Sequence, residues 1–290
     1  MKFTELLSQL NIEFRTEGKH CRPGWINIDC PWCEKNSRKF HLGYSLQDHY
    51  LNCWKCGYKR PIEVLMEITG KPFYECKKLL GDIRPVTIHK KKTDGRLLLP
   101  RGRGPLKRPH QLYLRDRGFD PLELEKLWRI QGIGIAGKLP WRIFIPIIYH
   151  GKVVSWTTRS IASNKAIPRY VSASLKQESM PHKSLLYGED YANQTIIITE
   201  GPFDVWRIGP GAVATLGVGY SNDQVIKMTK YQKRVICFDS DDNAQRRAKI
   251  LCDGLSVFPG ETYNVCLDSK DAADASRGEI EMLRTSFLKK

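Results

Sequence analysis

The chain has 290 residues, 41% of them hydrophobic, and its 47 Lys and Arg against 31 Asp and Glu give a formal net charge of +16. This composition excludes a disordered chain, because it is ordinary for a globular protein with two or three cored domains, and the positive charge favours a nucleic acid as partner. No uncharged run is long enough to span a bilayer and no apolar signal peptide opens the chain. We therefore expect a cytoplasmic protein without a membrane partner.

Two Cys-x-x-Cys pairs lie in the N-terminal part of the chain, formed by Cys30, Cys33, Cys53 and Cys56. Their spacing is typical of a tetrahedral site, and we expect the four thiolates to hold one structural zinc. Buried free thiols and disulfides are the alternatives, and disulfides are disfavoured because nine cysteines is an odd number. His41 and His49 remain competing zinc ligands. The other cysteines are expected to be reduced and mostly buried: Cys21, Cys76, Cys237, Cys252 and Cys266.

The segment between the two pairs predicts a β-hairpin, because apolar and polar residues alternate from Lys39 to Tyr44 and from His49 to Asn52. A helix is predicted to begin at Pro61, and the first domain to span residues 1–81. Unpaired bases offer flat faces to aromatic and cationic side chains. We therefore predict that Trp54, Lys39 and Tyr50 contact the bases of a nucleic-acid partner, with Phe40 as a further stacking partner.

Residues 82–106 have no sustained period and contain two basic, breaker-rich stretches, Lys90–Gly95 and Pro100–Pro105. This pattern predicts a flexible basic linker. It acts either as a solvated tether or as an arm that binds phosphates.

Residues 107–190 are predicted to form a basic αβ subdomain. A helix is expected after Pro121, and two neighbouring strands are expected at Trp141–Ile147 and Gly151–Arg159, with a turn around His150. Four cations recur through this part and are candidates for holding nucleotide or template phosphates. They are Arg142, Arg159, Arg169 and Lys183.

Carboxylates follow two short strand-forming runs in the last part of the chain, Thr195–Ile198 and Val235–Phe238. Both runs are apolar and typical of buried central strands, so their acids are expected at one edge of a parallel sheet. The acids are Glu200, Asp239 and Asp241, a set that suits Mg²⁺ or Mn²⁺. Asp204, four residues after Glu200, either orients a metal-bound water or caps a helix. We predict that residues 191–290 form this metal-binding subdomain.

Taken in chain order, these motifs resemble those of the bacterial DnaG-type primases, in the compact form found in phages. The cysteine ribbon is similar to the family's zinc module, although Cys33 stands where many members have histidine. The basic motifs match in order, and the two acidic motifs resemble those of the Toprim fold. Further similar motifs are Tyr113–Gly118, Pro168–Tyr170 and Lys183–Gly188. The resemblance implies a multidomain α+β and α/β fold: a zinc ribbon, a mixed αβ polymerase subdomain and a Toprim-like parallel sheet with flanking helices.

The resemblance also implies an activity. A DNA primase is a DNA-directed RNA polymerase that makes short RNA primers from ribonucleoside triphosphates on single-stranded DNA, for the initiation of replication. Two or more Mg²⁺ or Mn²⁺ ions would support nucleotidyl transfer here. The residues implied to hold them are Glu200, Asp239, Asp241 and Asp271, with Asp204 as a further catalytic candidate. A separately encoded replicative helicase is the implied partner, and the bacterial host cytoplasm the implied location if a phage encodes the protein.

Two departures limit this resemblance. The family's third acidic motif reads Lys-Asp-x-Asp or Lys-Asp-x-Asn, whereas this chain has Ala273 at the last position and Asp274 one residue later. Whether Asp274 replaces the missing acid is open. The chain also stops shortly after that motif, so we expect any helicase contact to use a surface other than the family's helical C-terminal domain.

Two other classes remain as alternatives. A Toprim nuclease shares the acidic motifs, and a non-catalytic repair scaffold of the RecR sort joins a four-cysteine zinc site to a Toprim fold. The basic segment from Arg142 to Gly188 favours the primase, because a short clamp has no need of it.

Overall fold

The computed structural model describes residues 3–18, 21–33, 38–47, 49–81, 95–135, 137–164, 166–217 and 219–288. The chain folds into two compact units, Met1–Lys91 and Lys92–Lys290. Each unit has its own hydrophobic core. Among the described residues, no helix has the length and apolar character needed to cross a membrane.

The first unit contains a five-stranded antiparallel sheet whose strands follow chain order. The strands are β1 (Phe14–Arg15), β2 (Trp25–Ile28), β3 (Leu42–Ser45), β4 (Leu51–Cys53) and β5 (Gly57–Lys59). Strands β3 and β4 pair antiparallel, which confirms the predicted hairpin. The helices of this unit are α1 (Phe3–Gln9), α2 (Pro61–Thr69) and α3 (Phe73–Leu80).

One face of this sheet forms the core of the first unit. Successive side chains of a strand point to opposite faces, and alternate residues such as Ile26 and Ile28 are buried together with Leu6 of α1 and Val64 of α2. Helix α2 begins at Pro61 as predicted, because proline lacks only an N–H that the first helical turn leaves unbonded anyway.

The second unit begins with a second antiparallel sheet, in the order β10-β9-β8-β7-β6. Its strands are β6 (Arg103–Gly104), β7 (Gln131–Ile133), β8 (Arg142–Tyr149), β9 (Lys152–Ser160) and β10 (Tyr170–Ser172). Two helices, α4 (Arg108–Asp116) and α5 (Pro121–Trp128), come before β7. The predicted helix after Pro121 and the two predicted strands are confirmed, and β8 and β9 form the longest strand pair.

The C-terminal part of the predicted linker belongs to the second unit. Residues 82–94 lie outside the described residues, but Arg103–Gly104 pairs with β7. The Leu98 carbonyl accepts a hydrogen bond from Trp156 Nε1 at 2.9 Å, and Leu106 is buried. The expectation of a flexible linker up to residue 106 is therefore wrong for these residues. Leu97 packs against the cluster that contains Phe144 and Trp156, and Leu106 belongs to the core of the second unit.

A four-stranded parallel sheet completes the second unit, in the order β12-β11-β13-β14. Its strands are β11 (Thr195–Thr199), β12 (Ala212–Ala214), β13 (Lys233–Ile236) and β14 (Glu261–Asn264). Its helices are α6 (Pro202–Ile208), α7 (Asn222–Met228), α8 (Asp242–Ser256) and α9 (Arg277–Phe287). Both predicted central strands are present, although β13 begins two residues earlier than expected. Together with the cysteine cluster, this sheet confirms the expected fold class.

Candidate active site and zinc centre

The carboxyl ends of β11 and β13 bring acidic residues from separate loops together. Ile198 lies opposite Ile236 in the parallel register, so Glu200 and Asp239 leave the sheet at the same edge. Both side chains line a cavity of about 360 Å³, and the cavity is also lined by Asp204 and Asp271. Four of the five predicted acidic site residues therefore surround one space.

Asp241 is placed differently. Its side chain is exposed and caps helix α8, where Oδ1 accepts hydrogen bonds from the backbone N–H groups of Asn243 and Ala244 at 3.0 and 3.2 Å. Asp241 does not line the cavity, but it lies close enough that its charge raises the pKa values of Glu200 and Asp239.

Three acids of this cavity, Glu200, Asp239 and Asp204, have pKa values raised above those of ordinary carboxyls. Burial, followed by the charges of Asp239 and Asp204, raises the pKa of Glu200 to about 7. Burial, followed by the charge of Asp271, raises the pKa of Asp239 to about 6. Glu200 Oε1 is buried and has no hydrogen-bond partner among the described residues. Carboxylates that repel one another around such an orphaned oxygen fit a divalent cation that prefers oxygen ligands.

Asp204 joins two of the acidic loops. It is 7% exposed, and burial together with the charges of Asp239 and Asp271 raises its pKa to about 7. Its Oδ2 accepts from the N–H of Gly201 at 3.0 Å and its Oδ1 from the N–H of Ala273 at 3.1 Å. Arg207 donates to the carbonyl of Ala273 at 3.0 Å. Hydrogen bonds thus hold both the N–H and the carbonyl of Ala273. The carboxylate of Asp204 is placed to position the loop that carries Ala273.

We expect Asp204→Ala to destabilise the second unit by about 2–4 kcal/mol, because the buried N–H of Ala273 and the half-buried N–H of Gly201 lose their acceptor. Urea unfolding, followed by the hydrogen exchange of β11 and β13, measures this change. Asp274→Asn is the matched control, because that carboxylate is 57% exposed and its ion pair with Arg117 is worth less than about 1 kcal/mol. Equal stability of Asp204→Ala and the wild type would contradict the positioning role.

Asp274 does not line the acidic cavity. Its side chain contacts Arg117 Nη2 at 3.2 Å. Its backbone N–H donates to Asp271 Oδ1 at 2.8 Å, so the Asp271 carboxylate caps the turn Ala272–Asp274. We therefore do not count Asp274 among the acids of the cavity.

Three arginines line the same cavity, Arg117, Arg159 and Arg169. Arg159 is 8% exposed, donates to Tyr113 Oη at 3.0 Å, and lies over the ring of Phe203 at 5.1 Å. Arg169 is exposed. Arg117 was missed as a site residue, although it lies in the Tyr113–Gly118 motif.

Two of the predicted phosphate ligands, Arg142 and Lys183, donate hydrogen bonds to backbone carbonyls instead. Arg142 is 2% exposed, and its guanidinium donates to the carbonyls of Thr158, Pro168 and Arg169. It holds the segment that carries Arg169 and does not line the cavity. This packing does not support the prediction that Arg142 contacts a phosphate.

Lys183 also faces backbone oxygens. Its Nζ donates to the carbonyls of Thr215, Leu216 and Gly219 at 3.3, 2.7 and 3.2 Å. Burial lowers its pKa to about 8. Since this loop includes Leu216 and Gly217, which line the cavity, Lys183 supports the cavity wall from behind.

The acidic cavity should respond to pH in a defined direction. Glu200 and Asp239 have raised pKa values, so the folded protein binds more protons than the unfolded chain between pH about 4 and about 7. Their contribution to stability is complete below about 4 and is lost as the pH rises to about 7. Without divalent cations, we expect wild type to lose stability relative to Asp239→Asn as the pH rises from about 4 to about 7, and saturating Mg²⁺ to reverse this loss. Thermal melts with chelator or Mg²⁺ measure both changes, and a pH-independent difference would contradict the prediction.

The four predicted zinc ligands form one cluster. The Sγ atoms of Cys30, Cys33, Cys53 and Cys56 all lie within 4.8 Å of one another. The closest pairs are Cys30 with Cys56 at 3.5 Å and Cys33 with Cys53 at 3.7 Å. A tetrahedron with Zn–S bonds of about 2.3 Å has sulfur separations of about 3.8 Å. The cluster fits one structural zinc.

Neither competing histidine belongs to this cluster. His49 Nδ1 lies 2.7 Å from Tyr44 Oη, and His41 is buried on the sheet. No disulfide joins the described cysteines. The expectation that the other five are mostly buried is wrong: Cys76 and Cys237 are buried, Cys21 and Cys252 are half-buried, and Cys266 is exposed.

The predicted base-contacting residues of the first unit are accessible to different degrees. Trp54 is 59% exposed, Lys39 is exposed, and Tyr50 is half-buried with its ring edge against Trp25 at 5.4 Å. Phe40 is 2% exposed and lies beneath Arg15, so it is not a stacking surface.

Comparison with known proteins agrees with this architecture. Residues 197–275 match the Toprim-like family. A DNA primase of Thermotoga maritima is 24% identical over 269 residues, covering 73% of this chain and 47% of that protein, so the chain spans about half the length of this curated relative. The protein is thus a zinc-ribbon protein with a Toprim-like domain.

Solved structures extend the comparison to the first unit. The zinc-binding and RNA polymerase domains of the Aquifex aeolicus primase match 99% of this chain and 83% of theirs, with a TM-score of 0.54 and 18% identity. The RNA polymerase domain of Mycobacterium tuberculosis primase DnaG matches 61% of this chain and 74% of its own, with a TM-score of 0.52 and 18% identity. In fold, the chain is similar to the zinc-binding and RNA polymerase domains of these primases.

Proposed function

We propose that the protein is a DNA primase, which makes short RNA primers from ribonucleoside triphosphates on single-stranded DNA by two-metal nucleotidyl transfer. The observation that carries this proposal is the single cavity lined by four carboxylates and three arginines. The similarity to DnaG-type primases supports it, and the net charge of +16 suits a nucleic-acid partner.

The acidic side of the cavity is proposed to hold Mg²⁺ or Mn²⁺. Glu200, Asp239 and Asp271 would bind the cations, with Asp241 adding negative charge from the cap of α8. Bound divalent cations stabilise the attacking and leaving oxygens of a phosphoryl transfer. Asp204 keeps the Asp271 loop against the Glu200 loop through its two backbone hydrogen bonds.

The protein's own side chains would carry the remaining tasks. Arg117, Arg159 and Arg169 lie on the basic side of the cavity and would neutralise the triphosphate or the template backbone. Glu200 is proposed, in addition to binding a cation, to act as a base for the proton of the primer 3′-hydroxyl.

The zinc unit is proposed to contact the template. Its zinc would stabilise the ribbon, and Trp54, Lys39 and Tyr50 would meet unpaired bases and the adjacent phosphates. A replicative helicase encoded separately remains the proposed partner.

The test is an assay of wild type and Glu200→Gln with single-stranded DNA, labelled ribonucleotides and Mg²⁺ or Mn²⁺. Short labelled products that depend on template, and that Glu200→Gln does not make, support the primase. Degraded template without such products identifies a Toprim nuclease. Salt-sensitive binding without either product identifies a RecR-like scaffold.

A further inference from the structure

Glu178 is a buried carboxylate that does not line the acidic cavity and has no part in the proposed chemistry. It is 1% exposed and lies between β10 and the turn His182–Ser184. Its Oε2 accepts hydrogen bonds from Ser155 Oγ at 2.6 Å, from His182 Nδ1 at 2.8 Å and from the His182 backbone N–H at 3.0 Å. Burial alone would raise the pKa of Glu178, but the hydrogen bonds from His182 and Ser155 outweigh burial and lower it. Hydrogen bonds to an ionised oxygen are strong, so Glu178 fixes this turn to strand β9, which carries Ser155.

The turn His182–Ser184 carries Lys183. The Nζ of Lys183 donates to the carbonyls of Thr215 and Leu216 at 3.3 and 2.7 Å, and to that of Gly219 at 3.2 Å. An ammonium group has three N–H donors, so these three carbonyls can occupy all of them. The position of the turn therefore decides where the loop after β12 is held.

The backbone of this loop adopts a conformation that needs such support. Leu216 has a φ of 60° and Gly217 a φ of 121°. A bulky residue such as leucine rarely adopts a positive φ, and it keeps one only where its surroundings impose it. Both residues line the acidic cavity, and the N–H of Gly217 donates to the carbonyl of Glu200 at 2.8 Å. The loop thus connects Lys183 with the backbone of a proposed metal ligand.

We propose that Glu178 is a positioning residue, which acts through His182 and Lys183 on the place of Glu200 in the cavity. Loss of its charge would loosen the turn and release the carbonyls from Lys183. The strained loop would then relax, and the hydrogen bond from Gly217 to Glu200 would open more often. The inference rests on the proposed function in taking Glu200 as a metal ligand, and it adds a residue that touches neither metal nor substrate.

The first test is hydrogen exchange of the full, metal-free protein. Glu178→Gln keeps the size of the side chain and removes its charge. We expect the amide of Gly217 to exchange about ten-fold faster than in the wild type, because charge-assisted hydrogen bonds are lost from the turn. An unchanged rate in folded Glu178→Gln overturns the proposal. Should this variant fail to fold, Ser155→Ala takes its place. It removes one of the three donors and should raise the rate by about three-fold, and an unchanged rate then overturns the proposal.

A second variant tests the route through Lys183. Lys183→Met removes the ammonium group and should accelerate the exchange of Gly217 as much as Glu178→Gln does. Adding Glu178→Gln to Lys183→Met should change the rate by less than about two-fold, because the two side chains act through one contact. A general loss of stability would instead multiply the two effects. Multiplied effects in the double variant therefore contradict the proposal.

The matched control is Asp190→Asn. Asp190 is an exposed carboxylate that also accepts backbone hydrogen bonds, from the N–H groups of His150 and Gly151 at 2.9 and 2.6 Å. These bonds hold the turn between β8 and β9, and the exchange of Gly217 should stay at the wild-type rate in this variant. An equal acceleration in Asp190→Asn would mean that the loop responds to any loss of stability, which overturns the proposal.

The second readout is the binding of Mn²⁺, counted as free ion by electron paramagnetic resonance. We expect Glu178→Gln to bind Mn²⁺ about ten-fold more weakly than the wild type, because residues that orient a metal ligand contribute about that much to affinity. Asp190→Asn should bind it like the wild type. An unchanged affinity beside faster exchange would show that the effect stops before Glu200, which also overturns the proposal.

Failure of this inference is distinct from failure of the proposed function. The exchange of Gly217 needs neither metal nor primer synthesis. A wild-type protein that binds no Mn²⁺ and makes no primers would refute the proposed function, while the exchange rates would still decide the role of Glu178. Primers made by a protein whose Gly217 exchange ignores Glu178→Gln would refute only the positioning role.

Discussion

Asp239→Asn should abolish primer synthesis while leaving the protein folded. The substitution keeps the size of the side chain but removes one carboxylate from a cavity that four acids share. A metal ligand contributes several kcal/mol to transition-state stabilisation, and each 1.36 kcal/mol is tenfold in rate, so we expect a loss of about 10³-fold or more. Primer yield per enzyme at saturating Mg²⁺ measures it.

The thermal stability of metal-free Asp239→Asn should rise, whereas its primer synthesis should fall. The pKa of Asp239 is raised to about 6, first by burial and then by the charges of Asp271 and Asp241. Removing its charge relieves this repulsion, so the metal-free variant should unfold at higher temperature than wild type above pH about 7. A variant that is merely misfolded would lose stability as well as activity. The control is Asp253→Asn, an exposed acid of α8 that should alter neither property. Primer synthesis by Asp239→Asn above about half the wild-type rate would exclude Asp239 from the catalytic set.

The acidic cavity was predictable because its signals are local. Thr195–Ile198 reads as a buried strand and Glu200 follows it, and the same holds for the run before Asp239. The rule that parallel strands end at one edge then brings the acids together. Strand β12 (Ala212–Ala214) was missed, because it is only three residues long and Val213 is its one β-branched residue, which is too little to show a period.

The hydrogen-bond partners of the basic side chains were not predictable from their positions in the sequence. Arg142 donates to the carbonyls of Pro168 and Arg169, which lie 26 and 27 residues away in the chain. Lys183 donates to a loop more than thirty residues further on. Whether a cation meets a phosphate or a carbonyl depends on such long-range packing, which a basic motif does not record. Arg117 is the opposite case. It was not predicted as a site residue, and the fold of the Tyr113–Gly118 motif brings it into the lining of the cavity.

Removal of the zinc should unfold the first unit and leave the second intact. Cys53 is 1% exposed and lies in the core of the first unit together with Cys30. Structural zinc contributes about 10–16 kcal/mol of binding free energy in zinc-finger peptides, more than a small domain's total stability. We therefore expect Cys53→Ser to lose its zinc, and the amides of β2, β3 and β4 to exchange hydrogen at the rate of an unfolded chain. Mass spectrometry reports both the metal and the exchange.

The matched control is Cys76→Ser, which alters an equally buried cysteine outside the cluster. Its Sγ lies 3.5 Å from the carbonyl of Lys71, so a hydroxyl at that place has an acceptor. This variant should keep one zinc and protected amides, because the four cluster thiolates are unchanged. The Toprim-like sheet should stay protected in both variants, since it lies in the other unit. Protection of β2 to β4 in zinc-free Cys53→Ser would mean that the hydrophobic core alone holds this unit, and the metal would then have to be assigned a role other than folding.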